Sequence, residues 1–341
     1  MKCIRCEHDS KYSERGGGRC PKCNGEFAFE PKRGAMFTDM AFKRAIDAVS
    51  VNGTVRWGVE HLYYEACRRK RRMSAWGCAI VALVLCAICV IGATQRGTKN
   101  PPVLILIGGA ALFVAVLAYI VHKDARFVSM DLSKFNAIWS RWREVHGVPE
   151  GLIVRQAKAA PRTIESDIGD YSFDRAVICD RARTVDLLLA NNFHFENNCA
   201  VLSIEGYPPG PFETVRRMLK RNPRLQVFAL HDCTPSGCML AHKLNSDPSW
   251  FAGGVRAVDI GLRPSQTKRF KGLLLKSTAG QVPAVHGISP EEADWLANHA
   301  LELAAIRPEQ VLKRLFRAVN RQPGDLDSDA TDTEGSYDSF G

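Results

Sequence analysis

Four cysteines near the start of the chain have the spacing of a metal cage. Cys3 and Cys6 form CIRC, thirteen residues intervene, and Cys20 and Cys23 form CPKC. Two Cys-x-x-Cys knuckles supply four thiolates to one tetrahedral ion, and zinc, Zn2+, is the metal this donor set leads one to expect. All four corners come from protein, so the expected role is structural. Disulfides are the alternative, which a reducing cytoplasm disfavours. Gly16, Gly17 and Gly18 permit a tight turn between the knuckles. Cys78, Cys86 and Cys89 fall in an apolar run. Cys67, Cys179, Cys199, Cys233 and Cys238 are scattered without ligand spacing and are expected to be buried thiols.

A second set of reactive side chains lies in the C-terminal half, each at the end of an apolar run of strand length. Asp180 ends RAVICD, Glu205 and Gly206 end CAVLSIEG, and His231 and Asp232 end RLQVFALHD. An amphipathic stretch of helical period follows each run at nearly even spacing, and a fourth run, VRAVDIGL, follows the last helix. Such alternation predicts a parallel α/β sheet, in which ligands gather at the carboxyl ends of the strands. Two carboxylates left close together on that rim repel unless a cation or a proton intervenes. The plainer alternative has Asp180 and Asp232 as helix caps bonded to backbone N–H groups. In the same spirit, Glu205 reads as a solvated turn residue and His231 as a partner for a backbone group.

The residues in these runs resemble the TOPRIM domain of the A subunit of type IIB topoisomerases (topoisomerase VI) and its meiotic double-strand-break relative. The resemblance covers residues 174 to about 317. It rests on VICDRARTVDLLLANNF, then VLSIEGYP, then FALHDCTPSGCMLAHKL, and finally DIGLRPSQ. It implies a magnesium site, Mg2+, built in the family from a glutamate and the two aspartates of a DxD motif. Here those positions are Asp180, Asp232 and Thr234. The resemblance also implies nucleic acid as the ligand and phosphodiester cleavage as the chemistry, assisted by the metal. HLYYE is similar to the tyrosine pair of the family's winged-helix part, which puts Tyr64 in the place of the DNA-attacking nucleophile. The arginine usual before that pair is Glu60 here. Aromatics at helical spacing otherwise read as packing. Asp180 is shorter than the family's glutamate and Thr234 carries no charge, so the expected site is degenerate, with weak or absent catalysis. An active DNA-cleaving or nicking enzyme using Asp180, Asp232 and Tyr64 is the alternative, as is a regulatory module that binds a nucleotide or a protein.

The remaining chain sets out the elements around these sites. The expected order is a zinc ribbon over 1–35 and a helical, winged-helix-like segment over 36–73. A transmembrane hairpin over 75–121 comes next, then a helical linker over 122–171, the TOPRIM-like α/β domain over 172–320 and a disordered acidic tail over 321–341. The hairpin rests on two charge-free apolar stretches, 75–93 and 102–121, close to the roughly 20 residues a membrane-crossing helix needs. With RRKRR just before the first span, the positive-inside rule predicts a multi-pass protein of the cell (inner) membrane with both termini cytoplasmic. Two spans without an internal charge offer no ion or substrate path, which argues against a transporter. The net charge is +10, and through Ser74 there are 16 Lys or Arg against 9 Asp or Glu. That surplus suits anionic lipid or nucleic acid. The expected partners are thus the membrane, nucleic acid, and a protein or a second copy of the chain.

Overall fold

A computed structural model of the chain describes residues 1–70, 126–154, 173–282, 284 and 287–320. They fall into two compact units. The first comprises Met1–Asp39, Tyr63–Val145 and Phe270–Leu274, and the second Met40–Leu62, His146–Arg269 and Leu275–Gly341. Among the described residues of the N-terminal half the α-helices are α1 (Asp39–Ser50), α2 (residues 59–70) and α3 (Leu132–His146).

In the first unit the two cysteine knuckles are built to one pattern. The N–H of Cys3 donates to the His8 carbonyl and that of Glu7 to the Cys3 carbonyl. Seventeen positions later, Cys20 donates to Gly25 and Asn24 to Cys20, all at 2.9–3.0 Å. Glu7 and Asn24 both take positive φ, 57° and 54°, which turns the chain back after the second cysteine of each knuckle. Lys2 pairs with Asp9 and Arg19 with Glu26 as matching antiparallel bridges. The ribbon continues into Asp39, whose buried carboxylate accepts the N–H groups of Ala28 and Phe29. On the far side of this unit Phe29 stacks on Trp142 of α3, and Arg141 reaches Glu26 at 2.6 Å.

The second unit carries a four-stranded, all-parallel sheet in the order β2-β1-β3-β4. Its strands are β1 (Arg175–Cys179), β2 (Cys199–Ser203), β3 (Gln226–Leu230) and β4 (Ala257–Asp259). The expected strands are therefore all present. β1 and β2 are buried along nearly their whole length because helices cover the sheet. Helix α4 (Ala182–Ala190) lies on β1 and β2, and α7 (Leu240–Ser246) on β3 and β4. Helix α5 (Phe212–Arg221) follows β2 and the short α6 (Pro235–Cys238) follows β3. Ala176, Ile178, Ala200, Leu202, Val227 and Ala229 form one apolar layer with Leu240, Leu244, Trp250 and Phe251. Farther on come α8 (Pro290–Asn298) and α9 (Pro308–Asn320). Between them the chain pairs back, Leu301 exchanging backbone hydrogen bonds with Cys233 at 2.8 and 3.0 Å.

The multi-domain fold class expected from the sequence needs one correction. Among the described residues no helix is long and apolar enough to cross a membrane. The two stretches at 75–93 and 102–121 lie outside the described residues, as does the acidic tail over 321–341. The transmembrane hairpin, the membrane as a partner and the multi-pass inner-membrane localisation therefore have no element of the fold to rest on, and we withdraw them. The α/β part of that fold class is present as a parallel sheet.

Ile178 is fully buried on the central strand β1. Its truncation leaves a cavity between the sheet and its covering helices, so Ile178→Ala is expected to lower unfolding stability by about 2–5 kcal/mol in urea denaturation. A loss under about 1 kcal/mol would mean that this layer is not packed as described.

Candidate functional site

The strand order puts the switch point of the sheet between β1 and β3, because the chain leaves β1 to one side for β2 and returns to the other for β3. A crevice at that position is where open α/β sheets bind ligands. Asp180 follows β1 and Asp232 lies just beyond β3, and the structure brings them together. Asp180 Oδ2 accepts the Asp232 N–H at 3.0 Å. Neither is a helix cap. Thr234, expected as a magnesium ligand, is the cap instead, its Oγ1 accepting the Gly237 N–H at 3.1 Å at the start of α6. The approach is tight enough to require glycine at 237, where a Cβ would lie 2.3 Å from the Asp232 carbonyl oxygen and 3.2 Å from Asp180 Oδ2.

Both Asp232 carboxylate oxygens are engaged. Oδ1 accepts the Leu303 N–H at 2.7 Å, and Oδ2 receives Arg183 Nη2 at 2.8 Å. The same guanidinium reaches Glu302 Oε1 at 3.0 Å. The Cys233–Leu301 pairing carries Glu302 and Leu303 over the rim, and Arg183 comes from the first turn of α4. Burial works against the charge on Arg183, but Asp232 and Glu302 outweigh it and raise its pKa. Asp180 is left in a different condition. Its Oδ1 is buried without a hydrogen-bond partner, and burial, reinforced by the neighbouring Asp232 charge, holds its carboxyl up at about 7. Arg181 stands half-exposed above, 3.7 Å from Asp232 and 3.8 Å from Glu205, both long ion pairs. Glu205 is exposed in its turn.

Beside this cluster lies a second one. His231, fully buried, sets Nδ1 2.8 Å from the Asp232 carbonyl oxygen and Nε2 2.9 Å from Asp259 Oδ1 at the end of β4. Burial opposes a charged ring, yet the Asp259 carboxylate and the carbonyl outweigh it and raise the pKa of His231. Burial likewise opposes ionisation of Asp259, but His231 and Arg263 bring it down to about 2. Two acceptors facing the two ring nitrogens are satisfied together only by the doubly protonated ring. Gly261 is obligatory here, since a Cβ would meet the ring at 2.3 Å.

Magnesium was expected on Asp180, Asp232 and Thr234. Asp180 Oδ1 is unpartnered but buried, on a carboxyl that burial keeps protonated up to about pH 7; Asp232 is closed by Arg183 and Leu303, and Thr234 is spent as a cap. The set does not fit a magnesium ion as arranged. Tyr64, expected as a nucleophile, belongs to the first unit and is buried to 1 % exposure, edge-on to Tyr63 at 5.2 Å. Tyr63 in turn donates its hydroxyl to the Met130 carbonyl at 2.8 Å.

The four N-terminal cysteines form a site that does fit a metal. Their sulfurs lie within 4.8 Å of one another, with Cys3–Cys23 at 3.6 Å and Cys6–Cys20 at 3.7 Å. Sulfurs placed about 2.3 Å from a tetrahedral ion are about 3.8 Å apart. Backbone N–H groups of Cys23 and Lys22 bring Cys20 down to about 6. Among the described residues this is the group of three or more His, Cys, Asp or Glu side chains that can hold a metal ion.

No family model, curated protein or solved structure matches this chain.

Sequence reasoning missed Arg183, Glu302, Asp259 and Arg263. Arg183 was within reach, since it stands one helical turn after Asp180, where a cation faces a strand-end acid. Asp259 ends an expected strand and follows from the same rule. Glu302 has no local signal, because only the pairing of residue 301 with 233 brings it to the rim.

Because the folded-state pKa of Asp180 lies above its ordinary 3.8, its protonated form favours folding. That contribution is complete below about pH 4 and is lost as pH rises towards 7. Asp180→Asn keeps an acceptor for the Asp232 N–H and removes the titration. The variant is expected to match the native protein near pH 4 and to exceed its stability increasingly up to pH 7, with a constant difference above. Chemical denaturation across this range is the check, and a difference independent of pH would refute the buried protonated carboxyl.

Proposed function

We propose that this chain is a nucleic-acid-binding protein in which a TOPRIM-like α/β domain has lost its cleavage chemistry and a zinc ribbon is retained as a structural module. The loss of cleavage rests on one observation: both oxygens of Asp232 are already taken, by the Arg183 guanidinium and the Leu303 N–H. A guanidinium is a fixed cation that cannot exchange ligands or polarise a bound water as a metal does. With Arg183 there, the rim carries the charge balance of a metal site without its chemistry. The TOPRIM reading itself is supported by the order and spacing of the motifs and by acidic residues at the first and third strand ends.

Zinc is the metal the ribbon suits, on the ground of four thiolates at tetrahedral spacing. Its part is to hold two knuckles together, and Cys3, Cys6, Cys20 and Cys23 leave no corner free for substrate. The binding of nucleic acid is supported by the basic surplus of the N-terminal part and by Arg181 half-exposed at the sheet rim.

The test uses the full-length protein and a fluorescently labelled oligonucleotide, read by anisotropy for binding and by gel for cleavage. In chelator-free buffer, which leaves the cysteine site loaded, binding is expected to be equal with and without added magnesium, to weaken at least about tenfold between 50 and 200 mM salt, and to leave the strand intact. Magnesium-dependent cleavage that disappears in Asp232→Asn would overturn the proposal in favour of an active enzyme built on Asp180 and Asp232. A complementary variant, Arg183→Ala with Thr234→Asp, opens Asp232 and adds a carboxylate, and is expected to bind magnesium more tightly than the native protein in calorimetry.

A further inference from the structure

We propose that a groove on the ribbon binds the phosphodiester backbone and one base of single-stranded nucleic acid. This names the surface that the nucleic-acid reading above requires, and it rests on that reading. The groove is open, about 670 Å3, and is lined by Ser10, Lys11, Tyr12, Glu14, Arg15 and Lys32 together with Met1, Asp9 and Ser13.

Its floor holds hydrogen-bonding capacity that the protein does not use. The Arg15 side chain is 5 % exposed, and its Nε and Nη1 have no hydrogen-bond partner. The Ser10 hydroxyl, on a residue 3 % exposed, has none either. Buried donors left unmade are costly, and the guanidinium groups are donors only, so what satisfies them is an acceptor. Among the described residues Arg15 has one ion pair, to Glu30 Oε1 at 3.2 Å, which balances its charge; its Nε and Nη1 and the Glu30 Oε2 beside them are all buried without a partner.

The rim adds charge. The two carboxylates lining the groove are satisfied locally, Asp9 by the Met1 amino group at 2.6 Å and Glu14 by the Lys11 backbone N–H at 2.8 Å. Lys11 and Lys32 are exposed and pair with no carboxylate among the described residues. The charge left uncompensated at the rim is that of these two lysines, and it favours an anion.

Tyr12 decides which anion. Its ring is 37 % exposed, with the Arg15 guanidinium 5.8 Å and the Lys32 ammonium 5.2 Å from its centroid. An accessible ring among cations is the combination that takes a base on the ring face and the adjoining phosphates on the cations. Lys32, on a flexible exposed stem, can leave the ring to a base and follow its phosphate. An acidic peptide would use the cations and leave the ring idle.

The full-length protein is titrated with a labelled oligothymidylate over a range of salt, with bound zinc measured on each variant. Lys11→Ala with Lys32→Ala is expected to weaken binding about tenfold or more at 0.1 M salt and to reduce the salt slope by about 1.4, because two phosphates of a single strand no longer have a lysine to neutralise them. Tyr12→Leu is expected to weaken binding about five- to hundredfold without changing the slope. Arg15→Gln is expected to weaken binding with zinc retained. Should that variant lose zinc, the exposed lysine pair and Tyr12 carry the test. If the native protein binds the oligonucleotide and the lysine pair and Tyr12→Leu bind it equally well, the groove is wrong and the nucleic-acid reading stands. If the native protein binds no oligonucleotide, both fall, and the groove holds water alone.

Discussion

Two carboxylates drawn out of water at neighbouring strand ends repel each other, and the α/β unit is arranged around that repulsion. Parallel strands β1 and β3 in register deliver Asp180 and Asp232 to one rim whether or not a ligand is there. Three devices relieve the conflict. Arg183 supplies a positive charge to Asp232, the Leu303 N–H takes its other oxygen, and Asp180 keeps its proton to about pH 7. Each recruits a different part of the chain, namely the first turn of α4, the segment after α8, and burial beneath α6. Removing one partner would strand a charge in a place with little water to screen it, which costs far more than the intact pair contributes.

The neighbouring cluster obeys the same constraint with a different cation. His231 lends its charge to Asp259 and anchors itself on the backbone carbonyl of Asp232, so the two clusters meet at one residue. Asp232 thus joins them through its carbonyl on one side and its carboxylate on the other. Glycines at 237 and 261 exist where these polar side chains approach backbone too closely for any Cβ. A rim tied in this way is specific in geometry and poor in exchangeable ligand positions.

Much of this was legible in the sequence, and the limits have physical causes. The four strands announced themselves as short apolar runs with acids at their ends, because a strand covered on both faces has no polar side to show. The cysteine cage followed from spacing alone. What local reasoning could not supply was the partner of each acid: Glu302 and Leu303 reach Asp232 through a bridge between residues far apart in the chain. Thr234 was given to a metal when the backbone had the prior claim, since a hydroxyl before Pro235 at a helix start caps it at little cost. Tyr64 was a candidate nucleophile because HLYYE resembles a family's tyrosine pair, but a buried ring with packed neighbours presents no hydroxyl to a substrate.

The ribbon solves the converse problem. A few dozen residues cannot bury enough apolar surface to hold a chain against its conformational entropy, and here the small apolar cluster consists of Cys3, Cys20 and Phe27 with Met1 and Cys6 packed on it. The two knuckles repeat one hydrogen-bond pattern, so each alone is a turn with nothing to pack against, and four sulfurs within 4.8 Å of one another would repel as thiolates. A divalent cation removes that repulsion and replaces the missing core in one step. The α/β unit neutralises its charges with arginine and keeps them fixed; the sulfurs of the ribbon lie close enough to hold a metal ion. A metal bound there would make the stability of the ribbon follow the metal supply, whereas the stability of the acidic rim follows pH.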